Sequence, residues 1–403
     1  MQRFHSYVTS FIVILIMIIG TSVQAEATCT NDVWWEGAKL QKGQIGKVTV
    51  LKDTSIVTFK NKKTVFTRKA KRGNVYNVYA IYAKYFHIGN NQYIKNDANI
   101  RYKAVPKEKL ALLICDKKAT AATISMNGLS IGDTRAKVEA IYGKAKRKTI
   151  NDYGLYWETY DQGNYKQFIM ISYENDKIAA MYTNQHIVQT KTGITLNSSK
   201  QQVQQTYGTP LLSIDKGGIS YIIKDDEYST YMLDGNYVTF FFDKHQNDQL
   251  SAVQIVRRDL EEKKDGFYGN PNNELRTAYE YQIFDLVNAA RLKNRAPLLS
   301  WDGKIAHTAR KHSEDMANNR YFSHTNLRGQ SPFDRMRIDG ISYSTAGENI
   351  AYGQFNAIFA HEAWMNSLGH RQNILNPSFH RLGVGVAFNS LGQPYYTQNF
   401  YTP

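Results

Sequence analysis

The stretch Trp364-Met365-Asn366-Ser367-Leu368-Gly369-His370-Arg371-Gln372-Asn373-Ile374-Leu375 decides how the last third of this chain is read. A bulky indole suited to anchoring a core is followed by Gly369, where a tight turn is expected. An imidazole comes next, with Arg371 and Asn373 directly behind it. Two more polar residues stand upstream in special settings: His324 in Tyr321-Phe322-Ser323-His324, and Glu348 in Gly347-Glu348-Asn349-Ile350-Ala351.

The surrounding periodicity is helical, then extended. Tyr279, Ile283, Phe284, Leu286, Val287 and Ala290 form a stripe at three-to-four spacing from Glu274 onward. Asp302 is an expected N-cap for a second helix, with Ile305, Ala309, His312, Met316 and Ala317 on one face. Pro332 opens a third helix, and Asn356 caps a fourth that runs through Trp364. Leu382 to Phe388 and Tyr395 to Tyr401 alternate as two closing strands. The blocks Gly-Glu-Asn, His-Arg-x-Asn-Ile-Leu and Thr-Gln-Asn-Phe occur in this order, and from Asn273 to Pro403 the chain resembles the CAP superfamily of cysteine-rich secretory, antigen 5 and pathogenesis-related 1 proteins, in a cysteine-free bacterial form. The resemblance implies an α-β-α sandwich, helices flanking a small antiparallel sheet, over 274–403. It also implies two His and two Glu at the floor of a cleft. His324, Glu348 and His370 match three of them. Ser367 stands where the second Glu belongs, and Glu362 on the same helix is a poorly placed substitute.

Three chemistries follow from that set. His324, Glu348 and His370 are ligand types for a divalent metal such as zinc with an open position. Ser367 and His370, three apart on a helix, with Glu348 behind the imidazole, would imitate a hydrolase trio. The groups can also satisfy one another as a hydrogen-bonded cluster joining three loops. Of the other histidines, His312 reads as a hydrogen-bonded core residue, and His307 and His361 as exposed or peripheral. Asn349, Asn373 and Asn399 are expected to tie loops to backbone groups.

Working outward, an internal repeat precedes this domain. Gly128 to Gly143 recurs as Gly193 to Gly208, each copy a strand, a helix capped by Asp133 or Asn197/Ser198, and a Tyr-Gly stop. A strand meander follows each: Phe168 to Tyr173 with Lys177 to Tyr182, and Tyr237 to Phe242 with Leu250 to Val256. Residues 124–260 therefore read as a duplicated α+β domain, similar to the CAP-associated domain of some secreted Gram-positive proteins. The Gly/Asn/Pro-rich stretch 261–273 reads as a linker.

Residues 28–118 read as short strands with Gly and Asn turns, a small β-barrel-like module whose run Tyr85 to Ile94 resembles the closing hairpin of bacterial SH3-like wall-binding domains. Its aromatics Tyr82, Tyr85 and Tyr93 suit stacking on sugar or peptide, or simple hairpin packing. From Glu26 to Thr120 there are 19 Lys or Arg against 7 Asp or Glu, most of the chain's +15. Such segregation favours anionic cell-wall polymers or an envelope surface as partner over nucleic acid, unless the face is merely solvated. Residues 1–25 have a secretory signal's form, with the apolar run Phe11 to Ile19 before Val23-Gln24-Ala25; retention as an uncleaved anchor is the alternative. Cys29 and Cys115 form a disulfide in an oxidising compartment or remain free thiols.

The whole reads as a multidomain α+β protein, secreted and cell-wall associated, holding an unidentified lipid, sterol or peptide in its C-terminal cleft. The alternative is an extracellular hydrolase, metal-assisted or Ser-His based, acting on peptide or wall material.

Overall fold

The computed structural model describes residues 33–41, 43–60, 63–82, 84–106, 109–110 and 123–403. Residues 1–25, expected as a secretory signal, and Cys29 and Cys115 lie outside the described residues. The chain is mixed α/β throughout. Eight helices carry the argument below: α1 Arg135–Tyr142, α2 Lys200–Tyr207, α3 Arg258–Lys263, α4 Asn273–Lys293, α5 Gly303–Asn319, α6 Pro332–Ile338, α7 Ala357–Asn366 and α8 Leu368–Leu375.

In the front part, a three-stranded sheet (Ile100–Ala104, Gly46–Val50, Val75–Val78) accompanies a five-stranded one containing Thr54–Lys60 and the hairpin of Tyr85–His87 and Tyr93–Lys95. They enclose a small core of Val48, Val50, Ile56, Val78, Phe86 and Ile94. Tyr85 and Tyr93 both pack edge-on against Phe59, at 5.2 and 4.9 Å. Strand Lys63–Ala70 forms one edge and is exposed along nearly its whole length.

The middle part is built on a seven-stranded antiparallel sheet. Its central pair, Lys177–Thr183 and Gln249–Arg257, is flanked by Ile169–Glu174 on one side and Asn236–Asp243 on the other. Helices α1 and α2 start one residue later than their sequence signals suggest, because Thr134 and Ser199 are the N-caps. Asp133 and Ser198 instead accept from the backbone N–H of Ser130 and Thr195, closing the preceding turn. Both helices stop at glycines, Gly143 (φ 75°, ψ −156°) and Gly208 (φ 81°, ψ −148°), in a region closed to side chains bearing Cβ.

Both faces of this sheet are buried. Ile169, Ile171, Phe240, Phe242, Val253 and Ile255 pack with Val138 of α1 and Val203 of α2. The intervening Met170, Ala180, Tyr182, Phe241, Ala252 and Val256 join a core that continues into the C-terminal domain through Ile283, Val287, Phe379 and Trp364. Strands covered on both sides read as unbroken apolar runs rather than alternating ones, which is the pattern of Phe240 to Phe242. The stretch expected as a linker is packed too: it begins within α3, Phe267 stacks on Phe355 at 4.8 Å, and Gly269 lies against the backbone of Asp152.

The C-terminal domain has a four-stranded sheet in the order Ser300–Trp301, Arg381–Phe388, Pro394–Thr402, Thr345–Tyr352. Its Ser300–Trp301 edge pairs in parallel, a departure from the all-antiparallel expectation. Along Arg381–Phe388 the faces divide sharply. Leu382, Val384 and Val386 enter the α4 core, whereas Gly383 and Gly385 lie under α5, where an added Cβ would sit 2.2 and 1.9 Å from the helix backbone. Asp302 and Asn356 cap α5 and α7 as expected, and Ser331 and Asp334 form a capping box that seats α6 behind Pro332. Helix α4 is buried on nearly every side, so that Glu280, Gln282, Asp285, Asn288 and Arg291 are inside with the apolar stripe.

Candidate functional site

Three elements bring the site together. The loop after α5 carries His324, strand Thr345–Tyr352 carries Glu348, and α8 carries His370. The Nδ1 of His324 lies 2.9 Å from Glu348 Oε1. Arg335 of α6 donates to Glu348 Oε2 at 2.6 Å and to the carbonyl of His324 at 2.8 Å. Glu348 is therefore buried between a guanidinium and an imidazole, while the His324 side chain stays 49% exposed. His370 is half-buried, and its carbonyl accepts from Asn349 at 3.1 Å. Burial, aided by the nearby His324, lowers the His370 pKa.

A second layer holds these elements in place. His312 donates through Nε2 to the Ser323 carbonyl, 3.0 Å away, fixing the turn before His324. Desolvation lowers its pKa, in keeping with a neutral core imidazole. Asn373 of α8 donates to the Glu348 carbonyl and to Asn349 Oδ1, joining helix to strand as the sequence suggested. Asn399 does not play that part: both atoms of its buried amide lack partners among the described residues.

Several expectations fail here for local reasons. The break after Trp364 falls at Ser367, where α7 ends and α8 begins, and Gly369 is an ordinary helical residue. Ser367 and His370 consequently do not share one continuous helix, and Ser367 Oγ makes no hydrogen bond among the described residues. Glu362 turns away from the site altogether: its carboxyl accepts from Tyr182 and Ser251 of the middle sheet. His361 is fully buried rather than peripheral, its pKa held down at about 3 by desolvation and Arg371. His307 is exposed, as expected.

This set does not fit a divalent cation. Both Glu348 oxygens already serve a guanidinium and an imidazole, and an adjacent Arg⁺ repels a metal. Among the described residues, no three His, Cys, Asp or Glu side chains gather as a ligand group. Arg335 is the member that sequence reasoning missed. Its signal was an arginine beside Met336, on a short helix facing the core, where a buried charge requires a buried partner.

Comparison with known proteins locates the two folded units. The model of the cysteine-rich secretory protein family matches residues 284–400, and that of the CAP-associated N-terminal domain matches residues 131–267. The chain is 30% identical over 300 residues to YlbC of Bacillus subtilis, described as an uncharacterized membrane protein, covering 70% of this chain and 84% of that one. An extracellular protein containing a SCP domain from Bacillus anthracis is 28% identical, with a TM-score of 0.58 over 68% of this chain and 94% of the other. A cysteine-rich secretory protein from Staphylococcus aureus, 17% identical, shares the fold at a TM-score of 0.56 over 69% and 93%. Among the described residues no helix is long and apolar enough to cross a membrane.

Proposed function

Because this chain belongs to the cysteine-rich secretory protein family, with the CAP-associated N-terminal domain ahead of it, we propose that it is an exported, envelope-associated protein that binds a ligand around His324, Glu348 and His370. The observation that carries this reading over a hydrolytic one is the Arg335–Glu348–His324 arrangement. Both Glu348 oxygens are already engaged, one by His324 and one by Arg335, and Ser367 has no base hydrogen-bonded to it. The loop that carries His324 exposes Phe322 and Leu327, and the helix that carries His370 exposes Leu368, so the polar residues share their elements with exposed apolar side chains, as suits a lipid, sterol or peptide.

The front module supplies the envelope contact in this proposal. Lys63, Arg68, Lys69, Lys71 and Arg72 are exposed along one sheet edge, and none is in an ion pair among the described residues. We read the module as SH3-like and the middle domain as a duplication whose strands run outward in matching order from the central pair. The test is retention on purified cell walls. Removing residues 26–120, or changing those five cations to Gln, should abolish retention; unchanged retention sinks the docking role. The relative described as a membrane protein favours a variant in which Phe11 to Ile19 remains as an anchor, and the mass of the exported protein distinguishes the two.

The hydrolytic alternative makes a different prediction. His370→Ala would remove an activity on peptide or wall material without lowering the unfolding temperature. In the binding reading, the same variant weakens ligand retention in the cleft and no turnover is found with either variant or parent.

A further inference from the structure

Two neighbouring cavities lie between the middle and C-terminal domains, and none of His324, Glu348 or His370 lines either one. The outer cavity, about 690 Å³, is lined by Lys224, Asp225, Asp226, Glu227 and Lys244 and by the Tyr352 to Phe355 loop, so that with Lys244 paired to Glu227 two carboxylates remain against one ammonium. The inner chamber, about 50 Å³, shares Tyr228, Phe355 and Phe359 with it, so three rings separate vestibule from chamber. Those rings brace one another: Phe359 meets Tyr228 at 5.1 Å and Phe355 at 5.0 Å.

The polar groups are unevenly satisfied. Glu227 is paired with Lys244 at 2.9 Å, but neither Asp225 nor Asp226 has a cation within ion-pair distance among the described residues. Inside the chamber, the Thr230 and Thr239 hydroxyls bond each other at 2.9 Å, and Lys216 is occupied by Glu261 and the Gly266 carbonyl. Gln254 is different. It is 3% exposed, lines the chamber, and its side-chain nitrogen has no partner. A buried donor left open carries a desolvation cost that an arriving acceptor would recover.

We propose that this inter-domain cleft binds a small organic cation carrying an apolar stem and an acyl group, of the kind presented by an N-acylated lysine. The ammonium lies between Asp225 and Asp226, the stem runs along the faces of Tyr228, Phe355 and Phe359, and the acyl oxygen accepts from Gln254 Nε2. Carboxylates at the mouth and aromatic faces along the wall both favour a cation over a neutral ligand. The unpaired donor at the end selects for an acceptor.

The probe is Nα-acetyl-lysine amide, titrated calorimetrically into the full chain beside Nα-acetyl-norleucine amide, which has the same stem without the amine. Saturable binding of the lysine compound is expected, about tenfold tighter than the norleucine one. Asp225→Asn combined with Asp226→Asn, on an exposed loop outside the cores, should erase that preference. Gln254→Met should weaken both compounds about tenfold, and circular dichroism would establish that it is folded. His324→Ala should change nothing, which separates this cleft from the site proposed above. Equal affinity for the two compounds, indifference to the Asp225/Asp226 variant, or absence of saturable binding would each overturn the assignment.

Discussion

Two glutamates of the C-terminal domain, fourteen residues apart on adjoining elements, meet burial in opposite ways. Glu348 is buried beside the half-exposed His324 and has a cation, Arg335, at 2.6 Å. Glu362 faces the sealed side, where its partners are the hydroxyls of Tyr182 and Ser251. Burial raises the Glu362 pKa because those hydroxyls compensate the charge less than desolvation disfavours it. Asp285, on the same sealed side, is also raised by desolvation, although Arg147 and Tyr165 bond to it. Glu348 thus sits in an ion pair with a guanidinium, whereas the interface holds carboxyls as internal hydrogen-bond links. The first arrangement belongs to the proposed ligand site; the second fastens two domains into one core.

The most damaging way to test that contrast is to separate the domains. Residues 274–403 produced alone would expose Phe359 and strip partners from Asp285 and Glu362. Their unfolding temperature should lie roughly 10 °C or more below that of the full chain, which should unfold these two domains in one transition. Equal temperatures in calorimetry would show that the shared core contributes little.

Next in size is the pair in the cleft. Arg335→Met leaves Glu348 buried without its cation and should cost about 3–5 kcal/mol in denaturant unfolding. His324→Ala removes a half-exposed partner and should cost under about 1 kcal/mol. Similar costs for the two would mean that His324, not Arg335, compensates the carboxylate.

A smaller effect distinguishes the sealed side by pH. His361 titrates at about 3 when folded, against about 6.5 when unfolded. As pH falls below about 6.5, the unfolded chain takes up a proton that the folded chain refuses, so stability falls toward acid. The raised carboxyls act in the other sense: the folded state keeps their protons, and that contribution fades as pH rises through their folded values. His361→Gln should therefore flatten the loss of thermal stability between pH 7 and 4. An unchanged acid limb would place the lability elsewhere.

Least of all should change with Ser367→Ala. Its hydroxyl caps nothing and meets no base, so stability should shift by less than about 0.5 kcal/mol and cleft binding should persist. A large loss in either would return Ser367 to the site.

Much of this was legible along the chain because it is local. The α4 stripe, the caps at Asp302 and Asn356, the Tyr-Gly stops and the strand runs each depend on neighbours within a few residues. The blocks around His324, Glu348 and His370 pointed to one locus, and His324 and Glu348 do meet there. Errors of one or two residues arose where two local solutions compete. Thr134 displaced Asp133 as cap because the aspartate closes its own turn, and Ser367 displaced Gly369 as the break because Gly369 continues in α8.

What the chain order could not disclose is which faces would be joined. Asp285 finds Arg147 at a separation of 138 residues, and Glu362 finds Tyr182 at 180. No periodicity links such positions, since helical and strand patterns report only that a face is buried, not against what. The unbroken apolar runs of the middle sheet did carry a hint, for a strand hydrophobic on both sides needs two covers. Which polar side chains became part of the interface was decided when two sheets and their helices closed over one core, because burial there required each carboxyl to find a partner.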